Sequence, residues 1–118
     1  MIGHVAFVTI DALDPERLAA FWGAILGTEV EERSDGGRFV FLGRVEGTLL
    51  CFQRVPEPKG VKNRVHLDVK VDDLEGATQR VIDLGGSWDG FDRALDDARW
   101  RTILDPEGNE FDIYVSEG

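Results

Sequence analysis

The sequence predicts an α+β fold: two βαβββ modules with curved mixed sheets around a central cleft. Three observations predict it. The first is an internal repeat. Asp14-Pro15-Glu16-Arg17-Leu18 opens a helical stretch closing at Gly27, and 59 residues later Asp73-Leu74-Glu75-Gly76-Ala77 opens another closing at Gly85. The second is context: each stretch follows a valine-rich, strand-like run and precedes two or three more. The third is size. A chain of 118 residues with 42% hydrophobic residues supplies the core of one compact domain, whereas a single half could not bury both its helix stripe and its sheet. Two copies of this length are too few for a solenoid. The expected organisation is one domain, with module one at 1–58 and module two at 61–118.

Residues 4–11 read as the first strand, with Val8 and Ile10 on one face and Phe7, Thr9 and Asp11 on the other. His4 falls on the face opposite Phe7. Asp14 is a suitable N-cap and Pro15 suits the first helical position. Leu18, Phe21, Trp22, Ile25 and Leu26 form one apolar stripe, and Gly27 ends the helix. Strands follow at 28–33, 38–42 and 48–55, with turns at 34–37 and 46–47. Pro56-Glu57-Pro58-Lys59-Gly60 is the linker, since prolines interrupt regular pairing.

The second half repeats the plan. A strand is expected at 64–71, with Leu67, Val69 and Val71 on one face and His66, Asp68 and Lys70 on the other. Asp73 caps a helix whose stripe is Leu74, Ala77, Val81 and Leu84, ended by Gly85-Gly86. A short strand at 88–91 precedes a polar loop at 92–98, whose acidic tip reads as a solvated segment or a lid. Strands at 99–104 and 111–115 are joined by the turn Asp105-Pro106-Glu107-Gly108, with Pro second and Gly fourth.

Composition narrows the function classes. A formal net charge of −10, with only 13 scattered Lys and Arg residues, argues against nucleic acid. Cys51 is the sole cysteine, so no internal disulfide forms, in keeping with a reducing cytoplasm. Met1-Ile2-Gly3-His4 has no basic start and no long apolar continuation, and no apolar run reaches the length of a membrane span. A cytoplasmic protein that engages neither nucleic acid nor membrane is expected. Exposed sheet edges also suit a homodimer.

The βαβββ repeat, the run Asp14-Pro15-Glu16-Arg17-Leu18-Ala19-Ala20-Phe21-Trp22 and the run Asp105-Pro106-Glu107-Gly108-Asn109-Glu110-Phe111 resemble the vicinal oxygen chelate superfamily. The likeness is to its glyoxalase-like and bleomycin-resistance-like members. Phe52-Gln53-Arg54-Val55-Pro56-Glu57-Pro58-Lys59 and Asn63-Arg64-Val65-His66-Leu67-Asp68 resemble a small glyoxalase-like family. The resemblance spans nearly the whole chain. These motifs are mainly caps and turns, so they are specific for fold and weak for chemistry. The resemblance implies a divalent metal held in the cleft by the first and last strands of each module and bound to two adjacent substrate oxygens. It equally implies members that bind a drug with neither metal nor chemistry, and fold cannot choose between them.

The repeat serves as a ruler for the ligands that this resemblance implies. Aligning Asp14 with Asp73 sets Phe7 opposite His66, Thr9 opposite Asp68 and Gln53 opposite Asp112. Aligning Glu46-Gly47 with Glu107-Gly108 instead sets Cys51 opposite Asp112. His66 and Asp112 match ligand positions, Gln53 is a weak oxygen ligand, and Phe7 cannot ligate at all. His66, Asp112 and Gln53 are thus an incomplete metal set suited to Zn, Ni, Mn or Fe. His66 is also the candidate catalytic residue, able to bind a metal or move a proton. A cleft histidine bonded to a neighbouring backbone group or carboxylate is the competing reading.

The expected cleft lining is Phe7, Thr9, Gln53, His66, Asp68, Trp100 and Tyr114, with Asp112. Asp11 and Lys70 read as a rim ion pair, Trp22 as core and Cys51 as a buried, inert thiol. The leading expectation is a binder of a small organic molecule with no tightly held metal, because Phe7 replaces a ligand with an apolar wall. The alternative is a divalent-metal-dependent lyase or isomerase of glyoxalase type acting through an enediolate-like intermediate.

Overall fold

The computed structural model of the chain describes residues 1–116, so the last two positions of the expected second module lie outside the described residues. The fold is mixed α+β, with two helices and two curved mixed sheets of four and five strands. The chain divides into two compact units at Pro58/Lys59, inside the proline-containing linker.

The first unit runs β1 (Val8–Ala12), α1 (Pro15–Leu26), β2 (Val30–Ser34), β3 (Phe39–Leu42) and β4 (Leu50–Arg54), with sheet order β1-β4-β3-β2. Asp14 caps α1 by accepting the Arg17 N–H at 3.2 Å, and Pro15 occupies the first turn. Gly27 ends the helix in the left-handed region, φ 73°, which glycine adopts without a Cβ clash. The stripe packs Leu18, Phe21 and Trp22 against Val40, Leu42, Leu50 and Phe52, all 3% exposed or less. A 3-10 turn at Asp35–Gly37 joins β2 to β3.

The first strand is shorter than the pattern at 4–11 predicts. Its parallel ladder with β4 starts at Val8↔Leu50, where β4 itself begins, so residues before Val8 have no β4 residue to pair with. The same parallel pairing decides the repeat's register. In the first unit Thr9 pairs with Cys51 and Asp11 with Gln53; in the second Asp68 pairs with Asp112 and Lys70 with Tyr114. Cys51 is therefore the counterpart of Asp112, and Gln53 that of Tyr114, as the Glu46-Gly47 alignment has it.

The second unit runs β5 (Asp68–Lys70), α2 (Leu74–Asp83), β6 (Ser87–Trp88), β7 (Arg93–Leu95), β8 (Ala98–Leu104) and β9 (Glu110–Ser116). Its sheet order is β5-β9-β8-β6, with β7 also on β8. Asp73 caps α2 through the Gly76 N–H. Leu74 and Val81 face Ile103, Phe111 and Ile113 in the core, but Leu84 is 44% exposed because the helix ends at Asp83 before the stripe completes. The polar stretch at 92–98 is a hairpin rather than a loop, since Arg93–Leu95 pairs with Ala98–Trp100. Asp105 organises the β8–β9 turn: its carboxylate accepts the Glu107 and Asn109 N–H groups, each at 2.9 Å, and the Asn109 side-chain amide at 2.8 Å. Among the described residues no helix is long and apolar enough to cross a membrane.

Candidate functional site

One face of the second sheet, opposite the Ile103–Phe111–Ile113 side that meets α2, collects polar and aromatic side chains. The ladders set this directly. Asp68 lies beside Asp112 and Asp112 beside Thr102, while Tyr114 lies beside Trp100. His66 precedes β5, and the Asp112 N–H donates to the carbonyl of Leu67 at 3.0 Å, holding the chain next to β9 just after the histidine. A cavity of about 530 Å³ on this face is lined by His66, Asp68, Ala98, Trp100, Asp112 and Tyr114.

His66 is the hub. Its Nδ1 lies 3.2 Å from Asp68 Oδ1 and 3.8 Å from Asp112 Oδ2. One ligand atom from each of the three residues falls within 4.8 Å of the others. Two atoms that share a metal at about 2.0–2.2 Å sit roughly 3 to 3.5 Å apart, so His66 and Asp68 stand at ligand spacing and Asp112 must move closer for the three to hold a divalent ion. The Thr102 hydroxyl donates to Asp112 Oδ1 at 2.7 Å and leaves Oδ2 turned to the imidazole. The His66 and Asp68 side chains are 42% and 55% exposed, and Asp112 is 18% exposed. Water therefore competes for two of the three donors.

The equivalent face of the first unit has different chemistry. Phe7 stacks edge-on against Phe41, with ring centroids 5.4 Å apart. Thr9 is exposed and Gln53 half-buried on the same face, while Cys51 is fully buried. Burial pushes the Cys51 thiol above its ordinary range, with hydrogen bonds from Thr9 and the Val40 backbone working weakly the other way. Of the residues that the sequence singled out, the structure thus brings His66, Asp68, Trp100, Asp112 and Tyr114 together in the second unit. It sets Phe7, Thr9 and Gln53 on the first.

Thr102 and Glu110 escaped the sequence reading. Thr102 could have been found by parity, two residues beyond Trp100 on one strand. Glu110 sits two residues before Asp112; its carboxylate binds Lys59 Nζ at 2.6 Å and the Asn63 N–H at 2.7 Å. Burial works to raise the Glu110 carboxyl, but these two partners outweigh it and hold it below the usual carboxylate range.

A four- and a five-stranded mixed sheet, each with a helix on one face and a parallel first-to-last strand pair, define a vicinal-oxygen-chelate fold. The chain belongs to the glyoxalase-like domain family, whose profile matches residues 7–114. Several solved structures share the fold. The fosfomycin resistance protein FosX of Listeria monocytogenes, in a variant complexed with Mn(II) and dihydroxypropylphosphonic acid, aligns at TM-score 0.78 with 19% identity, covering 100% of this chain and 92% of FosX. A glyoxalase-related enzyme from Fulvimarina pelagi aligns at 0.76 with 19% identity, covering 98% and 89%. A glyoxalase/bleomycin resistance protein/dioxygenase family enzyme from Burkholderia phytofirmans PsJN aligns at 0.71 with 21% identity, covering 94% and 97%. At these identities the likeness is one of fold. No curated protein sequence matches the chain.

Proposed function

We propose that this glyoxalase-like protein binds a small organic molecule on the His66–Trp100 face of its second unit, without a tightly held catalytic metal. The observation that carries the reading is the pairing of two chemistries in one cavity: Trp100 and Tyr114 offer aromatic surface, and His66, Asp68 and Asp112 offer polar groups. Such a site suits a ligand with an apolar body and adjacent oxygen or nitrogen functions. Half-exposed His66 and Asp68 weaken any metal held there. At the metal-ligating positions that the resemblance implies in the first unit, Phe7 and Cys51 supply no imidazole or carboxylate. A single domain acting in the reducing cytoplasm completes the reading, as does self-association through sheet edges, which light scattering of the purified protein tests.

The convergence of three donors within 4.8 Å supports a second reading, a divalent-metal-dependent lyase or isomerase. His66, Asp68 and Asp112 would hold the ion, which when bound would supply Lewis-acid polarisation of substrate oxygens. Thr102 orients Asp112 for that role, and Trp100 lines the same cavity. FosX, with Mn(II) in its structure, is the relevant precedent.

The test is metal content after purification without chelators, followed by thermal-shift screening against divalent ions, 2-oxo aldehydes and antibiotics. The leading reading expects sub-stoichiometric metal and a midpoint rise with an organic ligand that His66→Ala and Trp100→Ala abolish. Stoichiometric metal, lost from both His66→Ala and Asp112→Ala, would overturn it in favour of the metal-dependent enzyme.

A further inference from the structure

We infer that Glu110 is a positioning residue that fixes where His66 stands; the inference rests on the reading of the His66 face as the binding site. His66 lies outside the sheet ladder, in the stretch between the linker and β5. Apolar packing does not hold that stretch, because Val61 and Val65 are 82% and 79% exposed. Its anchors come from β9, on either side of the histidine. Downstream, the Asp112 N–H binds the Leu67 carbonyl. Upstream, Glu110 makes three bonds: Oε1 accepts from Lys59 Nζ at 2.6 Å, Oε2 accepts the Asn63 N–H at 2.7 Å, and its backbone carbonyl accepts from the Asn63 side-chain amide at 3.2 Å.

These bonds are well placed to position rather than decorate. The Glu110 and Lys59 side chains are 14% and 19% exposed, so the charge-assisted bonds are screened less than a surface pair. Glu110 and Asp112 are two apart on one strand and share a face. The strand that supplies Asp112 to the site therefore also fixes the approach of His66. Between the two anchors lie only Arg64, Val65 and His66, a span too short for the imidazole to wander. Without the Glu110 carboxylate, the segment would keep only the Asn63 amide bond to the residue 110 backbone carbonyl and the backbone bond at Leu67, and His66 would gain freedom to move between them. Groups that orient a site's side chains control its affinity without touching the ligand.

The test compares Glu110→Ala, Glu110→Gln and the core variant Val81→Ala in the full chain. Its readouts are the His66 imidazole nitrogen shifts by NMR, hydrogen exchange over 60–67, and Zn²⁺ affinity as a probe of the convergent donors. Glu110→Ala is expected to speed exchange over 60–67 by about tenfold or more, move the His66 signals toward those of a free imidazole and weaken Zn²⁺. Glu110→Gln, which retains an acceptor for Asn63, should give a smaller change in the same direction and serves where Glu110→Ala fails to fold. Val81→Ala should lower the melting midpoint without moving His66. Unchanged His66 signals in both Glu110 variants, or equal changes in Val81→Ala, would overturn the inference. If instead Glu110 behaves as expected but His66→Ala leaves ligand binding intact, the positioning role stands and the site reading fails.

Discussion

The two units share a plan and differ in what they do with it. In both, an aspartate caps the helix, the first and last strands pair in parallel, and apolar residues fill the space beneath the helix. On the sheet face away from the helix they diverge. The first unit sets Phe7 against Phe41 and buries Cys51, while the second gathers His66, Asp68, Asp112 and Thr102. The helix sides differ as well. The first core is aliphatic and aromatic throughout, whereas the second buries the Arg101 guanidinium. Topology fixes the caps and the core pattern, because a helix must cover one face of the sheet. It leaves the other face open to whatever chemistry the sequence supplies, and that is where the units part.

The largest expected effect breaks the first unit at its core. Trp22 is 2% exposed beneath the first sheet, so Trp22→Ala should cost about 3–5 kcal/mol, read from chemical denaturation. The next prediction exchanges the units' chemistry at equivalent positions. Cys51→Asp puts a carboxylate where the native side chain is fully buried and should destabilise by about 3 kcal/mol or more. Asp112→Cys loses the Thr102 hydrogen bond at a half-buried site and should cost no more than about 1.5 kcal/mol. Equal costs would show that the two faces are less different than their burial implies. The same burial should leave Cys51 unreactive toward a thiol reagent at neutral pH until the chain unfolds.

Much of this was legible in the sequence. Asp14, Pro15 and Gly27 mark α1, and Asp73 with Gly85 marks α2, because capping is local chemistry. The adjacency of His66 and Asp68 was legible from strand parity, although His66 itself stands just outside the strand. What the repeat alone left open was register. Two alignments competed for the partner of Asp112, and the parallel ladders, a long-range property, select Cys51 over Gln53. The hairpin at β7 was missed because its run Arg93–Leu95 is too short and too polar to read as a strand. Glu110 was missed for another reason: its partners Lys59 and Asn63 are about fifty residues away in sequence, and no local pattern joins them.

The remaining predictions compare one chemistry, arginine with carboxylate, in the two units. In the second, Arg101 Nε binds Asp92 at 2.7 Å, a terminal nitrogen binds the Thr78 hydroxyl at 3.0 Å, and the guanidinium lies 4.0 Å from the centroid of Trp88. It ties β8 to the helix and to the loop before β7. Arg101→Ala should cost about 2–3 kcal/mol, and Arg101→Met less, because a long apolar side chain keeps the contact with Trp88. In the first unit, Arg33 makes two bonds of 2.8 Å to Glu16, joining β2 to the start of α1, but both side chains are about half exposed. The Arg33 hydrogen bond holds the Glu16 carboxyl below its ordinary range. The pair's contribution is therefore present above the ordinary carboxylate range and lost as pH falls through the lowered value. Solvent screens it, so Glu16→Gln should leave the melting midpoint near neutral pH within error of the parent and flatten the acid limb only slightly. A loss at Glu16→Gln as large as that at Arg101→Ala would mean that geometry, not burial, sets the strength of these pairs.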